Sequence, residues 1–101
     1  MATAYVVYRP AAEAEIDDDF ATYEEQRTGL GIEFLDELAR IEGHLRANPA
    51  LYQRVYGDLR RAVMRRFPYG VFYVIDKAQV SILACLHLHR DPRSFADLLA
   101  R

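Results

Sequence analysis

The chain has 101 residues, of which 51% are hydrophobic and 28% are charged, and this length and mixture are typical of one compact globular domain. The sequence contains a single cysteine, so an internal disulfide is excluded. No stretch approaches the roughly 18 consecutive apolar residues that a membrane span requires, and the N-terminus lacks a basic segment followed by a long apolar run. We therefore expect one domain over residues 1–101, located in the cytoplasm and making no contact with a membrane.

Charge is distributed unevenly along the chain. Residues 1–48 carry eleven acidic side chains against four arginines, a net charge of −7, whereas residues 49–101 carry nine basic side chains against four acidic ones, a net charge of +5. The sequence pI near 5.9 argues against a protein that coats nucleic acid over its whole surface. It leaves open one basic face contributed by the second half of the chain.

The first half of the chain predicts a strand followed by two helices. Residues 5–8 form a β-branched and aromatic run that ends before Pro10, a residue suited to the first turn of a helix. Apolar residues then recur at spacings of three and four over residues 10–27 and again over about 32–47, which predicts two amphipathic helices. Because the Gly-containing link between them is short, we expect an antiparallel helical hairpin.

The second half predicts a sheet and a short final helix. Strands are predicted over residues 59–67, 69–75 and 80–88, and the middle one is apolar on both faces, as a central strand covered on both sides would be. Asp91 and Pro92 fit an N-cap and a first-turn proline that open a last helix. Residues 50–58 fit either a loop or an extra strand.

The predicted order is therefore βααβββα. This order indicates an α+β fold in which the helical hairpin packs across one face of a mostly antiparallel four-stranded sheet, with a short C-terminal helix. The residues predicted to form the core are Ile16, Phe20, Phe34, Leu38, Ile41, Val71, Tyr73 and Leu86.

Metal and nucleophile chemistry are poorly supported by the sequence. Cys85, His87 and His89 alternate on one predicted strand, but three ligands in a line do not surround an ion. Cys85 also lies among apolar residues, as an inert core thiol does. The carboxylates between residues 13 and 19 are expected to lie on the solvated face of their helix. We expect no cofactor, no metal and no catalytic cysteine.

The arginines of the 59–67 strand are a stronger candidate for function. Side chains alternate along a strand, so Arg61 and Arg65 are expected on one face, and Arg60 and Arg66 on the other. With His87, His89 and Arg90 at the end of the last strand, one pair could form a cationic cleft for phosphate or an acidic peptide, since guanidinium groups bind both. The alternative is a set of surface arginines that pair with the acidic helices.

Several local sequences in this order resemble the RelE/ParE superfamily of type II toxin-antitoxin toxins. The matching segments are Arg9-Pro10-Ala11-Ala12 before an acidic helix, Gly31 with Phe34, Asn48-Pro49, Leu59-Arg60-Arg61, Arg66-Phe67-Pro68-Tyr69 with Tyr73, and His87 followed by Arg90-Asp91-Pro92. The resemblance spans nearly the whole chain. It implies a small toxin encoded beside an antitoxin whose C-terminal segment wraps and neutralises it.

Two mechanisms occur among the proteins that this chain resembles. RelE-like members cut messenger RNA on the ribosome and tend to be strongly basic, with an arginine just before the central strand's Val-Tyr pair. This chain is not basic overall and has Gly70 before Val71, and a glycine cannot stabilise a dianionic phosphate. ParE-like members poison DNA gyrase without cutting nucleic acid and show the Phe-Pro-Tyr and His…Arg-Asp-Pro segments found here, although many have a tryptophan where this chain has Phe95. The resemblance therefore favours the ParE side.

The predicted interaction sites follow from the charge pattern and the resemblance together. The candidates for binding the target, DNA gyrase or alternatively the ribosome and mRNA, are Arg60, Arg61, Arg65, Arg66, His87, His89, Arg90 and Arg93. The candidates for binding a helix of the antitoxin are Ile16, Phe20, Tyr23, Phe34 and Leu38. An extended acidic tail of the antitoxin is expected to bind the basic second half of the chain.

Overall fold

The computed structural model describes residues 3–90 and 93–101. Its elements in chain order are β1 (Tyr5–Tyr8), α1 (Pro10–Gln26), α2 (Leu30–Ala47), β2 (Arg54–Tyr56), β3 (Leu59–Val63), β4 (Tyr69–Asp76), β5 (Gln79–His87) and α3 (Phe95–Leu99). The α+β class and the order of the long elements are as predicted. Among the described residues, each of the three helices is too short or too polar to span a membrane.

The sheet has five strands in the order β1-β5-β4-β3-β2. All neighbours are antiparallel except β1, which lies parallel to β5 with Tyr5 opposite Gln79. The prediction of four strands was therefore wrong by one, because the ambiguous segment 50–58 contains β2 (Arg54–Tyr56). This strand returns into β3 through a tight turn in which Gly57 has φ of 53°, a conformation that glycine adopts without a steric penalty.

The third strand is shorter than predicted. It ends at Val63 instead of Phe67, and the backbone amide of Met64 then donates to the carbonyl of Tyr69 across the connection to β4. The amides of Arg65 and Arg66 donate to the carboxylate of Glu37 on α2 instead of to a neighbouring strand. Because this connection bonds to a helix, the strict alternation of side chains predicted over residues 59–67 stops at residue 63.

The helical hairpin depends on a close approach at the start of α2. A Cβ at Gly31 would lie 2.7 Å from the Cγ of Glu24 and 2.8 Å from Phe20, so a larger residue would push the helices apart. The Glu24 carboxylate accepts the amides of Gly29 and Gly31. It thereby satisfies free N–H groups at the start of α2, where no N-cap side chain does so. Gly29 itself has φ of 91°.

The two faces of the sheet have separate cores. The first core lies between the hairpin and the sheet and is formed by side chains of the helices and of the facing strands. Its members include Ala12, Ile16, Phe34, Leu38, Ile41, Leu45, Ala62, Val71, Tyr73, Val80, Ile82 and Cys85. The second core consists of Leu59, Phe72, Leu83, Ala84, Leu86 and Leu98. The prediction that β4 is covered on both faces is confirmed. Of the predicted core, Phe20 is only half-buried and Leu86 lies in the second core.

Among the described residues, α3 is the helix that covers the second core, and Val55 and Leu88 pack at its margins. This helix begins at Phe95, and the hydroxyl of its N-cap residue, Ser94, accepts the amide of Asp97 at 3.2 Å. Ser94, directly before the helix, has extended backbone. The predicted N-cap and first-turn proline, Asp91 and Pro92, lie outside the described residues.

Candidate functional site

Basic side chains converge where β5 ends. The last residue of this strand, His87, pairs with Tyr69 at the start of β4, and the two rings lie 5.3 Å apart. The chain then turns, with the amide of Leu88 donating to the carbonyl of Pro68, and the amide of His89 donating to Nδ1 of His87. His87, His89 and Arg90 therefore lie at one end of the sheet, where His87 separates two depressions.

The first depression, which we call the Arg61 cleft, is a cavity of about 120 Å³ between the sheet and α3. It is lined by Arg61, Phe72, Leu86, His87, Leu88, Arg93, Phe95 and Leu98. Its entrance is cationic and its floor is apolar. A ligand with an anionic group next to an apolar group could therefore bind with the anion at the entrance and the apolar group on the floor.

Gly70 determines how Arg61 enters this cleft. A Cβ at Gly70 would lie 3.2 Å from both the Cγ and the Cδ of Arg61 and 2.9 Å from a methyl group of Leu88. The aliphatic part of Arg61 therefore lies flat over the glycine backbone. Arg60, which precedes Arg61 in β3, points to the other face of the sheet, under the hairpin, and its guanidinium donates to the carbonyls of Ala50 and Tyr52.

The second depression, the Asp19 pocket, lies on the other side of His87 and has a volume of about 390 Å³. It is lined by Glu15, Asp18, Asp19, Thr22, Tyr69, Cys85, Leu86, His87, Arg90 and Arg93. The hydroxyl of Tyr69 donates to Oδ1 of Asp19 at 3.2 Å, and Oδ2 of Asp19 is buried with no hydrogen-bond partner among the described residues. Burial raises the pKa of Asp19 to about 6.

Glu15 connects the wall of this pocket to the end of the chain. Its carboxylate accepts the backbone amide of Cys85 at 3.0 Å and the guanidinium groups of Arg93 and Arg101, each at 2.9 Å on Oε2. Arg101 also donates to the carbonyl of Leu83 at 2.9 Å. These side chains bond to the part of β5 that extends beyond its pairing with β1, which ends at Ile82.

The predicted target-binding residues are only partly brought together. Arg61, His87 and Arg93 line the Arg61 cleft, and Arg90 lines the adjacent pocket. The expected pairings of Arg61 with Arg65 and of Arg60 with Arg66 do not form, because β3 ends before residues 65 and 66. Arg66 instead bonds to Glu33 and its guanidinium lies 5.7 Å from the ring centre of Phe67. The sequence also allowed that these arginines pair with the acidic helices, and this alternative is correct for Arg66.

The predicted antitoxin-binding residues divide into buried and accessible ones. Phe34 has no exposed surface, so it acts in the core and offers nothing to a partner in this conformation. Ile16 and Leu38 are at least nine-tenths buried but line a groove of about 230 Å³ with Tyr8, Glu13 and Asp17. Phe20 and Tyr23 are half-buried and their contact with an antitoxin stays a prediction.

Glu15 and Asp19 were missed as functional candidates. The expectation that all carboxylates between residues 13 and 19 are solvated was wrong for these two, which face β5 and Tyr69. Their spacing of four places both on the side of α1 that also carries Ile16 and Tyr23, which is the signal that could have identified them. The burial of Cys85 was predicted, and burial raises the pKa of its thiol. No arrangement of three or more His, Cys, Asp or Glu side chains in the described residues is suited to holding a metal ion.

Comparison with known proteins supports the fold. No protein-family model matches the sequence, and no curated protein matches it. Among solved structures, a chain of the chromosomal ParDE TA system from P. aeruginosa superimposes with a TM-score of 0.73 at 14% sequence identity, covering 86% of this chain and 98% of that one. The chain therefore has the RelE/ParE-type α+β fold, with nearly all of the neighbour's chain represented.

Proposed function

We propose that this protein is the toxin of a type II toxin-antitoxin system, that it inhibits DNA gyrase in the cytoplasm, and that a cognate antitoxin neutralises it. The observation that carries the proposal is the likeness to a chain of a ParDE TA system over 98% of that chain's length. The resemblance of the sequence segments to ParE-like toxins points the same way.

The surroundings of Gly70 support a protein-binding poison over an RNA-cutting enzyme. A side chain at this position would meet Leu88 and Arg61, so the place where a RelE-like nuclease carries an arginine is occupied here by the stem of Arg61. The adjacent Asp19 pocket contributes acidic side chains within reach of the same surface. Carboxylates repel a phosphate backbone, and a mixed surface suits a protein partner better.

The antitoxin is proposed to bind along the hairpin. The groove lined by Tyr8, Ile16 and Leu38 opens between α1, α2 and β1, and an apolar helix face is the partner that fits such a groove. Phe20 and Tyr23 are the accessible aromatic residues proposed to extend this contact. The extended tail of the antitoxin would continue to the basic end of the sheet.

The test is expression of the chain in a bacterial host with and without the adjacent reading frame. Growth arrest relieved by the neighbouring gene product, together with inhibition of gyrase supercoiling by the purified chain, supports the proposal. A chain that leaves both growth and supercoiling unchanged at every dose contradicts it.

A RelE-like endonuclease is the second candidate, and one observation favours it. Arg61, His87 and Arg93 line one cleft, and cationic groups with a histidine are what phosphate stabilisation and proton transfer require. Primer-extension mapping distinguishes the two functions. Cuts in ribosome-bound messages that disappear in His87→Ala, with supercoiling unaffected, would establish the nuclease.

A further inference from the structure

We propose that the Arg61 cleft is the recognition site for a carboxylate side chain that has an apolar neighbour, presented by the antitoxin. The inference rests on the proposed toxin function for the identity of the partner, and it adds the site and the chemistry of the contact. Three features of the cleft support it: the guanidinium of Arg61, the hydrogen-bonding state of His87, and the volume of the cavity.

Arg61 is a partly buried cation. Within residues 3–90 and 93–101, its guanidinium has no hydrogen-bond or ion-pair partner, whereas those of Arg60 and Arg66 both have one. Its stem is confined between β4 and Leu88 by the absence of a side chain at Gly70. A confined guanidinium has lost much of its rotamer freedom before any ligand arrives, so an anion that binds it loses little further entropy.

His87 offers a second donor at the same cleft. Its Nδ1 accepts the amide of His89 at 3.1 Å, so a neutral ring carries its proton on Nε2, which can donate it to a ligand in the cleft. Partial burial lowers the pKa of His87, and the neighbouring charges of Arg90 and His89 lower it further. A bound anion would oppose these effects and raise that pKa, which provides a direct readout of occupancy.

The floor of the cleft selects the kind of anion. The cavity of about 120 Å³ is bounded by Leu86, Leu88, Phe95 and Leu98 below the cationic entrance. Sites that enclose a whole small-molecule ligand are roughly 300–1,000 Å³, so this one holds a single side chain and not a nucleotide. An aliphatic group fills the floor, and an adjacent carboxylate meets Arg61 and His87. A phosphate backbone has no aliphatic group to bury there.

The experiment uses the whole chain and four small probes in NMR titrations. Hexanoate carries both features, hexanamide lacks the charge, acetate lacks the tail, and inorganic phosphate represents nucleic acid. We expect hexanoate to shift the Nε–H signal of Arg61 and the amide of Leu88 and to raise the pKa of His87. It should bind about tenfold more tightly than the other three, because a hydrogen bond to a charged group and the burial of methylenes each contribute that much.

Variants test whether the predicted groups are responsible. Arg61→Ala should weaken hexanoate binding about tenfold, Gly70→Ala should weaken it by displacing the Arg61 stem, and Arg61→Lys should restore part of it. Arg65→Ala is the matched control, since this arginine is exposed outside the cleft, and it should leave binding unchanged. Both alanine variants are checked for folding by their amide spectra.

The outcomes separate this inference from the proposed function. Phosphate binding as tightly as hexanoate would overturn the carboxylate proposal in favour of a nucleic-acid site. The absence of saturable shifts at Arg61 with any probe would show that the cleft binds neither. The titrations use the chain alone, so they are independent of the growth experiment. Growth inhibition without binding of any probe to the cleft would overturn only the carboxylate proposal. Hexanoate binding by a chain that does not inhibit growth would overturn only the proposed toxin function.

Discussion

The two faces of the sheet differ in how completely they are covered. The hairpin face is packed by two long helices, and its core includes Phe34, Ile41 and Leu45 with no exposed surface. The opposite face is covered by the five residues of α3 (Phe95–Leu99), which leave the Arg61 cleft beside them. Stability is concentrated on the first face, and the second face combines a small core with accessible cationic groups. Substitutions on the two faces, and at the carboxylates buried beside the hairpin, test this division.

The largest effect is expected from Phe34→Ala. This ring contacts Tyr23, Phe67 and Tyr69 in one aromatic cluster, and its removal leaves a cavity that should lower the free energy of unfolding by about 3–5 kcal/mol. Phe95→Ala on the other face should lower it by only about 1–2 kcal/mol, since that ring is half-buried. Urea denaturation measures both, and equal losses would contradict the division between the faces.

Glu37→Gln should have the next largest effect. Its buried carboxylate accepts two backbone amides and the Arg40 guanidinium, so the neutral variant should lose about 2–3 kcal/mol of unfolding free energy. Glu33→Gln, at an exposed pair with Arg27 and Arg66, is the control and should lose less.

The same carboxylate predicts acid sensitivity. Its ion pair and amide donors lower the pKa of Glu37 to about 2 in the folded state, below the unfolded value of about 4.3. The stabilisation is therefore present above the unfolded pKa and is lost as pH falls from there toward 2. Urea midpoints between pH 5 and pH 2 should fall less in Glu37→Gln than in the wild type. Parallel curves would show that this carboxylate is not responsible.

Asp19→Asn should change stability in the opposite direction. Burial raises the pKa of Asp19 to about 6, above the unfolded value, so the charged form destabilises the fold at neutral pH and this cost disappears as pH falls toward 4. An asparagine still accepts the Tyr69 hydroxyl. Because this side chain is only half-buried and solvent screens its charge, the variant should be more stable at pH 7 by only about 1 kcal/mol, with no difference at pH 4. Chemical denaturation at the two pH values checks this, and destabilisation at pH 7 would contradict it.

The smallest effect is expected at the cap of α3. Ser94→Ala removes the oxygen that accepts the amide of Asp97, which should cost about 0.5–1 kcal/mol. Because α3 covers only the second face, the loss should appear mainly as faster hydrogen exchange in residues 95–99 with little change in the α2 amides. Uniformly faster exchange would mean that α3 and the hairpin unfold as one unit.

The hairpin and the long strands were predictable because their apolar spacing is local information. The three residues of β2 carry too little pattern to separate a strand from a loop, which explains the extra strand. The early end of β3 was not predictable, since it depends on Glu37, a residue of a different element that binds the amides of Arg65 and Arg66. For Glu15 the spacing along α1 could have indicated the buried side, but not its partners, which lie 70 to 86 positions away along the chain.

The parallel pairing of β1 with β5 has a consequence for how the protein is made. Residues 5 and 79 are partners in this pairing, whereas β2 to β5 form antiparallel neighbours that follow one another in the chain. During synthesis the first strand has no partner until residues 79–82 have left the ribosome, and contacts this distant in sequence form late. A nascent chain that ends before β5 therefore lacks both the edge of the sheet and the site at its end, so the surface proposed to bind a target is assembled only after β5 has been synthesised.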